Sequence, residues 1–274
     1  MSFPRINTMK TRQLLLCAAA ALAPLAVHAQ APADKWQGEL GIYGWFPAIG
    51  GSTSFPTGGS GPSLDVSSQD VIDALKMVFM GNLELRKGRW GLWTDVVYAD
   101  LGDSKSGSRD FTIAGQPVST AANLSLDVKT TAWTLAGLYN LGATPENTTD
   151  LLFGARLLDM QNTLDYTLDV VPPQHPGLAK SGKLQADGAN WDAIVGLKGR
   201  YYLGADRKWF LPYYLDLGAG ESKFTWQINA GVGYQFDWGA VYATWRYLDY
   251  DFKSGQALQS MNLNGGLIGV SIRF

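Results

Sequence analysis

The sequence predicts an all-β protein, an antiparallel up-and-down transmembrane β-barrel of about ten strands. Three observations support this fold class. The 274-residue chain holds 10 Trp, 12 Tyr, 11 Phe and 32 Gly, spread over segments in which apolar and polar residues alternate. Short and long connections alternate between these segments, as in barrels with short periplasmic turns and longer outer loops. Aromatic residues concentrate at both ends of the segments, where the interfaces of a bilayer attract them.

The first 29 residues have the features of a signal peptide. Basic residues precede an apolar run from Leu14 to Leu25, and small residues ending at Ala29 form a cleavage site. A membrane anchor is the alternative, but the run is short for a spanning helix. We therefore expect residues 1–29 to be removed on export and residues 30–274 to form one outer-membrane barrel domain.

Charge and cysteine content exclude several classes of protein. The formal net charge is −2, and removal of residues 1–29, which contain three bases and no acid, leaves −5. A mildly acidic chain has no basic surface for nucleic acid. Cys17 lies within the predicted signal peptide, so the mature chain would have neither disulfides nor thiolate chemistry.

Ten segments have the alternation of a strand with one apolar face. They are Trp36–Phe46, Met77–Lys87, Trp90–Leu101, Asn123–Tyr139, a fifth that begins near Leu151, Asn190–Leu203, Trp209–Leu217, Trp226–Phe236, Val241–Tyr250 and Met261–Phe274. None of them approaches the length of a membrane-spanning helix.

The first five strands are justified by the residues that would face lipid. These are Leu40 and Ile42; Phe79, Leu83 and Leu85; Trp90, Leu92, Val96 and Tyr98; Leu124, Leu126, Val128, Ala132 and Ala136; and Phe153, Ala155 and Leu157. Polar residues occupy most of the alternate positions, which in a barrel point into the lumen. In the fourth strand this assignment would turn Trp133 inward.

The next four strands show the same pattern more clearly. Their outward residues would be Trp191, Ala193, Val195, Leu197, Tyr201 and Leu203; Trp209, Leu211, Tyr213, Leu215 and Leu217; Trp226, Ile228, Ala230, Val232, Tyr234 and Phe236; and Ala243, Trp245 and Tyr247. The intervening Asn, Asp, Gln, Lys and Arg residues would line the interior.

The last strand ends the chain on an aromatic residue. Ile268, Val270, Ile272 and Phe274 share one face of it. Soluble domains avoid such an exposed apolar edge because it invites aggregation, whereas a strand that closes a barrel has no free edge. This strand resembles the C-terminal strand of bacterial outer-membrane β-barrels. The resemblance implies that Phe274, with Ile272 and Val270, is the signal recognised by the barrel assembly machinery.

Connection lengths give the chain an orientation. The short connections are 87–89, 140–149, 204–208 and 237–239, and the long ones are 48–76, 102–122, 171–189, 218–224 and 253–260. One predicted aromatic girdle lies beside the short turns and comprises Trp36, Trp90, Tyr139, Tyr201, Trp209, Tyr234 and Phe274. The other lies toward the long loops and comprises Tyr98, Trp191, Trp226 and Tyr247. Two such bands favour a membrane barrel over a β-sandwich.

The first long loop contains a short helical motif at residues 67–75. Ser67 is a suitable N-cap with Asp70 three residues later, and Val71, Ile72 and Leu75 form an apolar stripe. We expect a helix packed on the barrel rim, and the alternative is a lid or plug helix inside the mouth.

Several segments together resemble a family of uncharacterised bacterial outer-membrane β-barrel proteins. They are DVSSQDVIDALKMVFMGNLELRKGRWGLWTDVVYADL, NWDAIVGLKGRYYL and TWQINAGVGYQF followed by WRYLDYDF. The likeness covers nearly the whole mature chain. It implies the barrel fold and an outer-membrane location, but no particular cargo or reaction.

The predicted lumen carries the charged residues that could have a function. They are Glu84, Arg86, Asp95, Asp127, Lys129, Arg156, Asp192, Lys198, Arg200, Asp216, Arg246 and Arg273, with Trp93, Trp133 and Tyr214 among them. A barrel of about ten strands is close to the size whose interior is filled by side chains. We therefore expect a filled lumen in a protein with a structural or surface-interaction role. A narrow channel or binding barrel for small polar or ionic solutes is the alternative.

Catalysis is the least favoured function. Only His175 would survive processing, and it lies in a proline-rich loop, far in sequence from the strand acids. A lipid or peptide hydrolase usually needs a histidine close to a serine or an acid. No clusters suggest a metal, and no cofactor is expected. The expected partners are outer-membrane lipid and the assembly machinery, with the barrel itself a monomer.

Overall fold

A computed structural model describes residues 35–53, 63–106, 111–113, 116–118, 121–170, 178–254 and 258–274. Side chains are described for 35–52, 65–102, 128–161, 188–254 and 258–274. The predicted signal peptide, residues 1–29 with its cleavage site, and His175 lie outside these ranges. No helix in the described ranges is long and apolar enough to cross a membrane.

Ten long strands build the barrel wall. They are β1 (Gln37–Thr53), β3 (Leu75–Lys87), β4 (Trp90–Ser106), β7 (Ala121–Ala143), β8 (Asn147–Val170), β9 (Leu178–Leu203), β10 (Trp209–Gly220), β11 (Ser222–Gln235), β12 (Gly239–Phe252) and β13 (Leu258–Arg273). Each pairs antiparallel with the next one along the chain. The sheet closes because β13 pairs with β1 from Glu39–Arg273 to Thr53–Leu258. The predicted ten-strand barrel is therefore confirmed.

The remaining elements lie in two of the connections at one end of the barrel. The strand β2 (Ser63–Val66) pairs with β1, and β5 (Phe111–Ile113) with β6 (Gln116–Val118) forms a separate hairpin. The helix α1 (Ser68–Asp73) is capped by Ser67, whose Oγ accepts a hydrogen bond from the Asp70 amide at 3.2 Å. The predicted loop helix is thus confirmed, and Ile72 remains exposed on it. We call this end the loop end, and the opposite one the short-turn end.

The outer face of the wall is apolar at almost every described position. Exposed large side chains include Leu40, Ile42, Phe46, Phe79, Leu92, Phe153, Val195, Leu197, Leu215, Ile228, Trp245, Ile268, Val270 and Ile272. The side chains between them point into the lumen and are mostly buried. This is the reverse of a soluble barrel, whose outer surface would be polar.

Aromatic side chains stand at both ends of this outer face. Rings on paired strands contact each other near the short-turn end, with centroids 4.8 Å apart for Trp90 and Tyr139 and 5.1 Å apart for Trp209 and Tyr234. Toward the loop end, the Trp226 and Tyr247 centroids are 4.9 Å apart. The exposed Phe236 and Trp238 extend the first group into a turn.

Two connections at the loop end differ from the expectation. The link predicted at 218–224 is a single residue, Glu221, between β10 and β11. Gly218 and Gly220 continue β10 because they lack a Cβ, which would lie only 2.7 and 2.4 Å from carbonyl oxygens of β9. Residues expected to form the link 171–189 are largely part of β9.

The face assignment of β7 is wrong. Ala132, Thr134, Ala136 and Leu138 are buried in the lumen, and Trp133 lies on the outside. The Trp133 Nε1 donates to Thr94 Oγ1 at 2.9 Å, and its ring centroid is 6.0 Å from that of Trp191. The assignment followed the first half of the predicted strand, where Leu124, Leu126 and Val128 alternate with Asp127 and Lys129. In the second half both faces are mostly apolar, so alternation there could not correct it.

Candidate functional site in the barrel lumen

Ten of the twelve predicted lumen charges lie on the inner face of the wall. They are Glu84, Arg86, Asp95, Arg156, Asp192, Lys198, Arg200, Asp216, Arg246 and Arg273. Lys129 does not: its side chain is 52% exposed and lies 3.9 Å from Asp100 on the outside of the barrel. That prediction was wrong because it followed from the inverted face of β7. The Asp127 side chain is outside the described residues.

The short-turn end of the lumen holds a cluster of acids and bases. Arg200 Nη1 donates to Glu39 Oε2 at 3.0 Å, and Arg273 Nε donates to the same oxygen at 3.1 Å. Strands from opposite sides of the barrel thus meet here, since Arg200 and Glu39 belong to β9 and β1. We call Glu39, Glu84, Arg86, Asp150, Lys198, Arg200 and Arg273 the rim cluster.

A second carboxylate links the other bases of the rim cluster. Glu84 accepts hydrogen bonds from both Arg86 and Lys198. Arg86 also reaches Asp150, with Nη1 2.9 Å from Oδ1. Sequence analysis missed Asp150 because it lies just before the expected start of the fifth strand. Glu39 was also absent from the predicted lumen charges, although it alternates with the outward-facing Leu40 and Ile42.

Deeper in the lumen, Arg246 is the centre of a hydrogen-bond network. Its Nη2 donates to Asp95 Oδ2 at 2.9 Å and its Nη1 to Tyr43 OH at 3.0 Å. The Tyr43 hydroxyl in turn donates to Asp95 Oδ1 at 2.6 Å. Gln227 Oε1 accepts from the same guanidinium, whose carbon lies 4.6 Å from the Trp45 ring centroid. The charge of Arg246 is therefore neutralised by Asp95, its N–H groups are hydrogen-bonded, and the Trp45 ring packs against its guanidinium group.

Arg156 forms a second buried ion pair beside the first. It bonds to Asp216, and Tyr214 donates its hydroxyl proton to the same carboxylate. Arg156 Nε also donates to Thr134 Oγ1 at 3.3 Å. The Arg156 and Asp216 side chains are 1% and 0% exposed, so the pair has been removed from water and each charge depends on the other.

Asp192 has a local role rather than one in the lumen network. Its Oδ1 accepts a hydrogen bond from the Ser222 amide at 2.9 Å. Ser222 directly follows the single-residue turn at Glu221, whose carboxylate accepts from the Trp191 amide at 2.6 Å. The two acids therefore secure the tight connection between β10 and β11 by reciprocal side-chain bonds.

The loop-end half of the lumen is filled by apolar side chains. We call these the apolar layer: Tyr43, Trp45, Met80, Val97, Ala132, Leu158, Leu248, Tyr250, Phe252, Met261, Leu263 and Leu267. None is more than 8% exposed. Interior residues packed this densely exclude water. The layer therefore closes the lumen above the Arg246 network.

A cavity of about 110 Å³ lies below the apolar layer. Aromatic rings of Tyr43, Trp93, Tyr214 and Tyr242 form part of its wall, and the charged lining consists of Glu39, Glu84, Asp95, Lys198, Arg200 and Arg246. Three acids face three bases, so the lining is electrically balanced. Two buried oxygens in the lining, Thr244 Oγ1 and Asn229 Oδ1, have no hydrogen-bond partner among the described residues.

The cavity is accessible from the short-turn end. The side chains of Glu39, Lys198 and Arg200 at that end are about one-fifth exposed, whereas Trp45 and Leu248 above the cavity are 3% and 0% exposed. The lumen thus has the form of a blind pocket. No group of three or more His, Cys, Asp or Glu residues suited to a metal ion occurs within the described ranges.

No protein-family model matches this chain, and no curated protein matches its sequence. Solved structures with a similar fold are outer-membrane proteins. The translocator domain of the autotransporter NalP from Neisseria meningitidis is 14% identical, with a TM-score of 0.42 and coverage of 97% of this chain and 95% of that one. The outer-membrane protease OmpT from Escherichia coli is 10% identical, with a TM-score of 0.45 and coverage of 90% of this chain and 99% of that one.

A third similar structure is Ail, the attachment invasion locus protein of Yersinia pestis. It is 10% identical, with a TM-score of 0.34 and coverage of 87% of this chain and 98% of that one. At these TM-scores and identities the likeness supports no conclusion about this chain. The register of its own strands shows that this chain has the closed antiparallel β-barrel fold found in Gram-negative outer-membrane proteins.

Proposed function

We propose that this protein is an integral outer-membrane barrel with a closed lumen, which serves as a scaffold for a structural or surface-interaction role. The outer wall supports the location. Its exposed apolar side chains surround the barrel, from Leu40 on β1 to Ile272 on β13. A continuous apolar surface of this size would aggregate in water, whereas the hydrocarbon core of a bilayer requires it.

The apolar layer is the observation that favours a scaffold over a channel. Conduction needs a continuous path of water or polar groups through the lumen. Here Leu158, Leu248 and Tyr250 lie across the lumen and are each 0% exposed. Displacing their packed contacts would be costly. The lumen charges below them form pairs that brace the wall.

The surface role is supported by the length of three adjacent strands. A membrane strand needs about 9–11 residues, but β7, β8 and β9 have 23, 24 and 26 residues. The pairing of β7 with β8 continues to Ala121–Asp169, and that of β8 with β9 continues to Val170–Leu178. The excess projects as a three-stranded sheet beyond the loop end, which we place on the cell exterior. Such a sheet offers an extended surface to a partner outside the cell.

Conductance in planar bilayers tests the closed lumen. The purified protein should show little or no conductance. A Leu248→Gly, Leu263→Gly variant, which removes two side chains of the apolar layer, should conduct and serves as the positive control. Retained heat-modifiable gel mobility would show that this variant still forms a barrel. Steady conductance by the wild-type protein would contradict the proposal and favour the narrow channel.

Thiol labelling on intact cells tests the orientation. A cysteine at Gly182, in the projecting part of β9, should react with an impermeant reagent. Cysteines at Glu146 and Asp237, in exposed short turns, should react only after the outer membrane is permeabilised. The reversed pattern would contradict the orientation, and equal labelling of all three would contradict membrane insertion.

The blind cavity supports a second candidate function, the binding of a small polar solute from the short-turn side. Because its charges are balanced, the cavity favours an uncharged or zwitterionic molecule. Thr244 Oγ1 and Asn229 Oδ1 are positioned to hydrogen-bond it. Titration with glucose and with glycine, followed by intrinsic tryptophan fluorescence, tests this, because Trp93 lines the cavity. Binding that Thr244→Val weakens would support a solute site, and the absence of any response to both probes would contradict it for these classes.

A further inference from the structure

Within the described residues, the seam between β1 and β3 has the longest interruption of strand pairing in the barrel wall. A shorter one occurs between β10 and β11 at Leu211 and Pro212. The strand β1 pairs with β3 only from Gln37–Arg86 to Ile42–Gly81. Its next partner on that side is β2, beginning at Ile49–Val66. Among the described residues, positions 43–48 of β1 therefore have a strand partner on the β13 side alone. Opposite them, residues 75–80 of β3 pair with β4 alone.

The strand register places this gap in the loop-end half of the membrane wall. Ala48 pairs with Asn264, which pairs with Tyr247 of the loop-end girdle. On the other side of the gap, Phe79 pairs with Tyr98, also in that girdle. The gap thus begins near mid-height and extends to the girdle. The helix α1, which connects β2 to β3, lies against β1. The part of the gap nearer mid-height therefore opens onto the hydrocarbon that surrounds the proposed membrane barrel.

The sequence reduces the cost of unpaired backbone at this gap. The reciprocal bonds between Gly38 and Phe274 show that even-numbered residues of β1 direct their main-chain groups toward β13, so the odd-numbered residues face β3. Of these, Pro47 has no N–H to satisfy. The Trp45 N–H donates instead to the thioether sulfur of Met80, at 3.1 Å. A flexible side chain replaces the backbone acceptor of a continuous ladder.

Apolar groups lie on both sides of the gap. Met77, Phe79 and Phe46 are exposed on the outer face beside it, at 60%, 55% and 44%. On the lumen side, Met80 and Trp45 belong to the apolar layer. Among the gap residues 43–48 and 75–80, Lys76 is the one charged residue, and it lies at the loop-end limit of the gap. Nearer mid-height, the side chains between lipid and the apolar layer are apolar, and Met80 is the one that fills the path.

We propose that this β1–β3 seam is a lateral portal, through which one acyl chain of a membrane lipid enters the apolar layer. The chain would displace the Met80 side chain, which is unbranched and adapts to several packings. No covalent step is involved. An acyl chain fits the portal because the interior is apolar, because the rim is apolar apart from Lys76 at its loop-end limit, and because the surrounding bilayer supplies such chains at high concentration. The proposal rests on the membrane location proposed above.

Photolabelling separates the portal from the membrane location. The full chain would be reconstituted in phosphatidylcholine vesicles containing a lipid with a diazirine in its acyl chain, and labelled residues would be mapped by mass spectrometry. Label on outward residues such as Leu215 and Ile268 tests the location. Label on the inward residues Trp45 and Met80, several-fold above that on the inward residue Leu158, tests the portal.

A matched pair of variants sharpens the test. Met80→Ala should raise the label on Trp45 several-fold, because the obstruction is gone. Leu158→Ala removes a similar volume beside continuous seams and should admit no label to the lumen. Outward label without any on Trp45 or Met80, in both the wild-type protein and Met80→Ala, would overturn the portal and leave the location intact. If Met80→Ala forms no barrel, the label on Trp45 and Met80 in the wild-type protein, relative to that on Leu158, decides whether the portal exists.

Discussion

The two halves of the lumen fill the same barrel in opposite ways. At the short-turn end, the rim cluster and the Arg246 and Arg156 networks fill most of the space with paired charges, beside a smaller apolar group formed by Trp93, Ala136, Leu138, Leu152, Ile194 and Tyr214. At the loop end, the apolar layer fills it with hydrocarbon and aromatic rings. Charged groups keep their bonds only in one geometry, whereas apolar groups tolerate repacking. The comparison suggests that the charged half fixes the shape of the barrel and the apolar half seals it.

The largest effect should come from breaking the Arg156–Asp216 pair on one side. Arg156→Met leaves the Asp216 carboxylate buried without a cation, which costs about 3–5 kcal/mol of the free energy of unfolding. Urea unfolding of the protein in detergent micelles measures it. The double variant Arg156→Met, Asp216→Leu removes both charges and should recover most of the loss. A double variant as unstable as the single one would contradict a charge-based explanation.

A smaller effect is expected in the apolar layer. Leu158→Ala removes a fully buried side chain and should lower the free energy of unfolding by about 2–5 kcal/mol, depending on how far its neighbours relax. Leu158→Met, which roughly conserves volume, should cost less than about 1.5 kcal/mol. If both substitutions cost the same, the layer would be as geometrically exacting as the charged half, and the comparison would fail.

The sequence predicts the strands best where the two faces differ strongly in polarity. In β9, Trp191, Val195 and Leu197 alternate with Asp192 and Lys198, and the structure places the first set outside and the second inside. The barrel class and the strand count follow from several such segments. Lipid on one side and charges on the other make this signal unusually clear.

The same reasoning fails where both faces are apolar. In β7 the lumen positions Ala132, Ala136 and Leu138 face an outer surface that is also mostly apolar. The only clear alternation is at residues 124–129, and its polar Lys129 lies on the outer face, so Trp133 was placed on the wrong side. The apolar layer was missed for the same reason. Leu248 and Leu263, which point inward, have the same chemistry in sequence as residues that point to lipid.

Contacts across the lumen could not be predicted from alternation at all. Glu39 and Arg200 are 161 positions apart and meet only because the stagger of the closed sheet brings their strands face to face. The gap between β1 and β3 is equally hidden. It depends on where the pairing of β1 passes from β3 to β2, which a pattern along one strand does not record.

The smallest effect should come from the most exposed member of the rim cluster. Arg273 donates to Glu39 at 3.1 Å, but its side chain is 44% exposed. Glu39 also keeps Arg200, with Arg200 Nη1 at 3.0 Å, so the carboxylate would not be left unpaired. Arg273→Ala should therefore lower the free energy of unfolding by less than about 1 kcal/mol.

Salt gives this last prediction a second measurement. Water at the open short-turn end screens the Arg273–Glu39 pair, so the difference between Arg273→Ala and the wild-type protein should shrink further as ionic strength rises. The Arg156–Asp216 pair is shielded from ions, and the loss in Arg156→Met should persist at the same ionic strength. A loss in Arg273→Ala as large and as salt-independent as that in Arg156→Met would mean that the short-turn end is closed as well. The lumen would then have no open half, and the blind pocket would be an enclosed cavity.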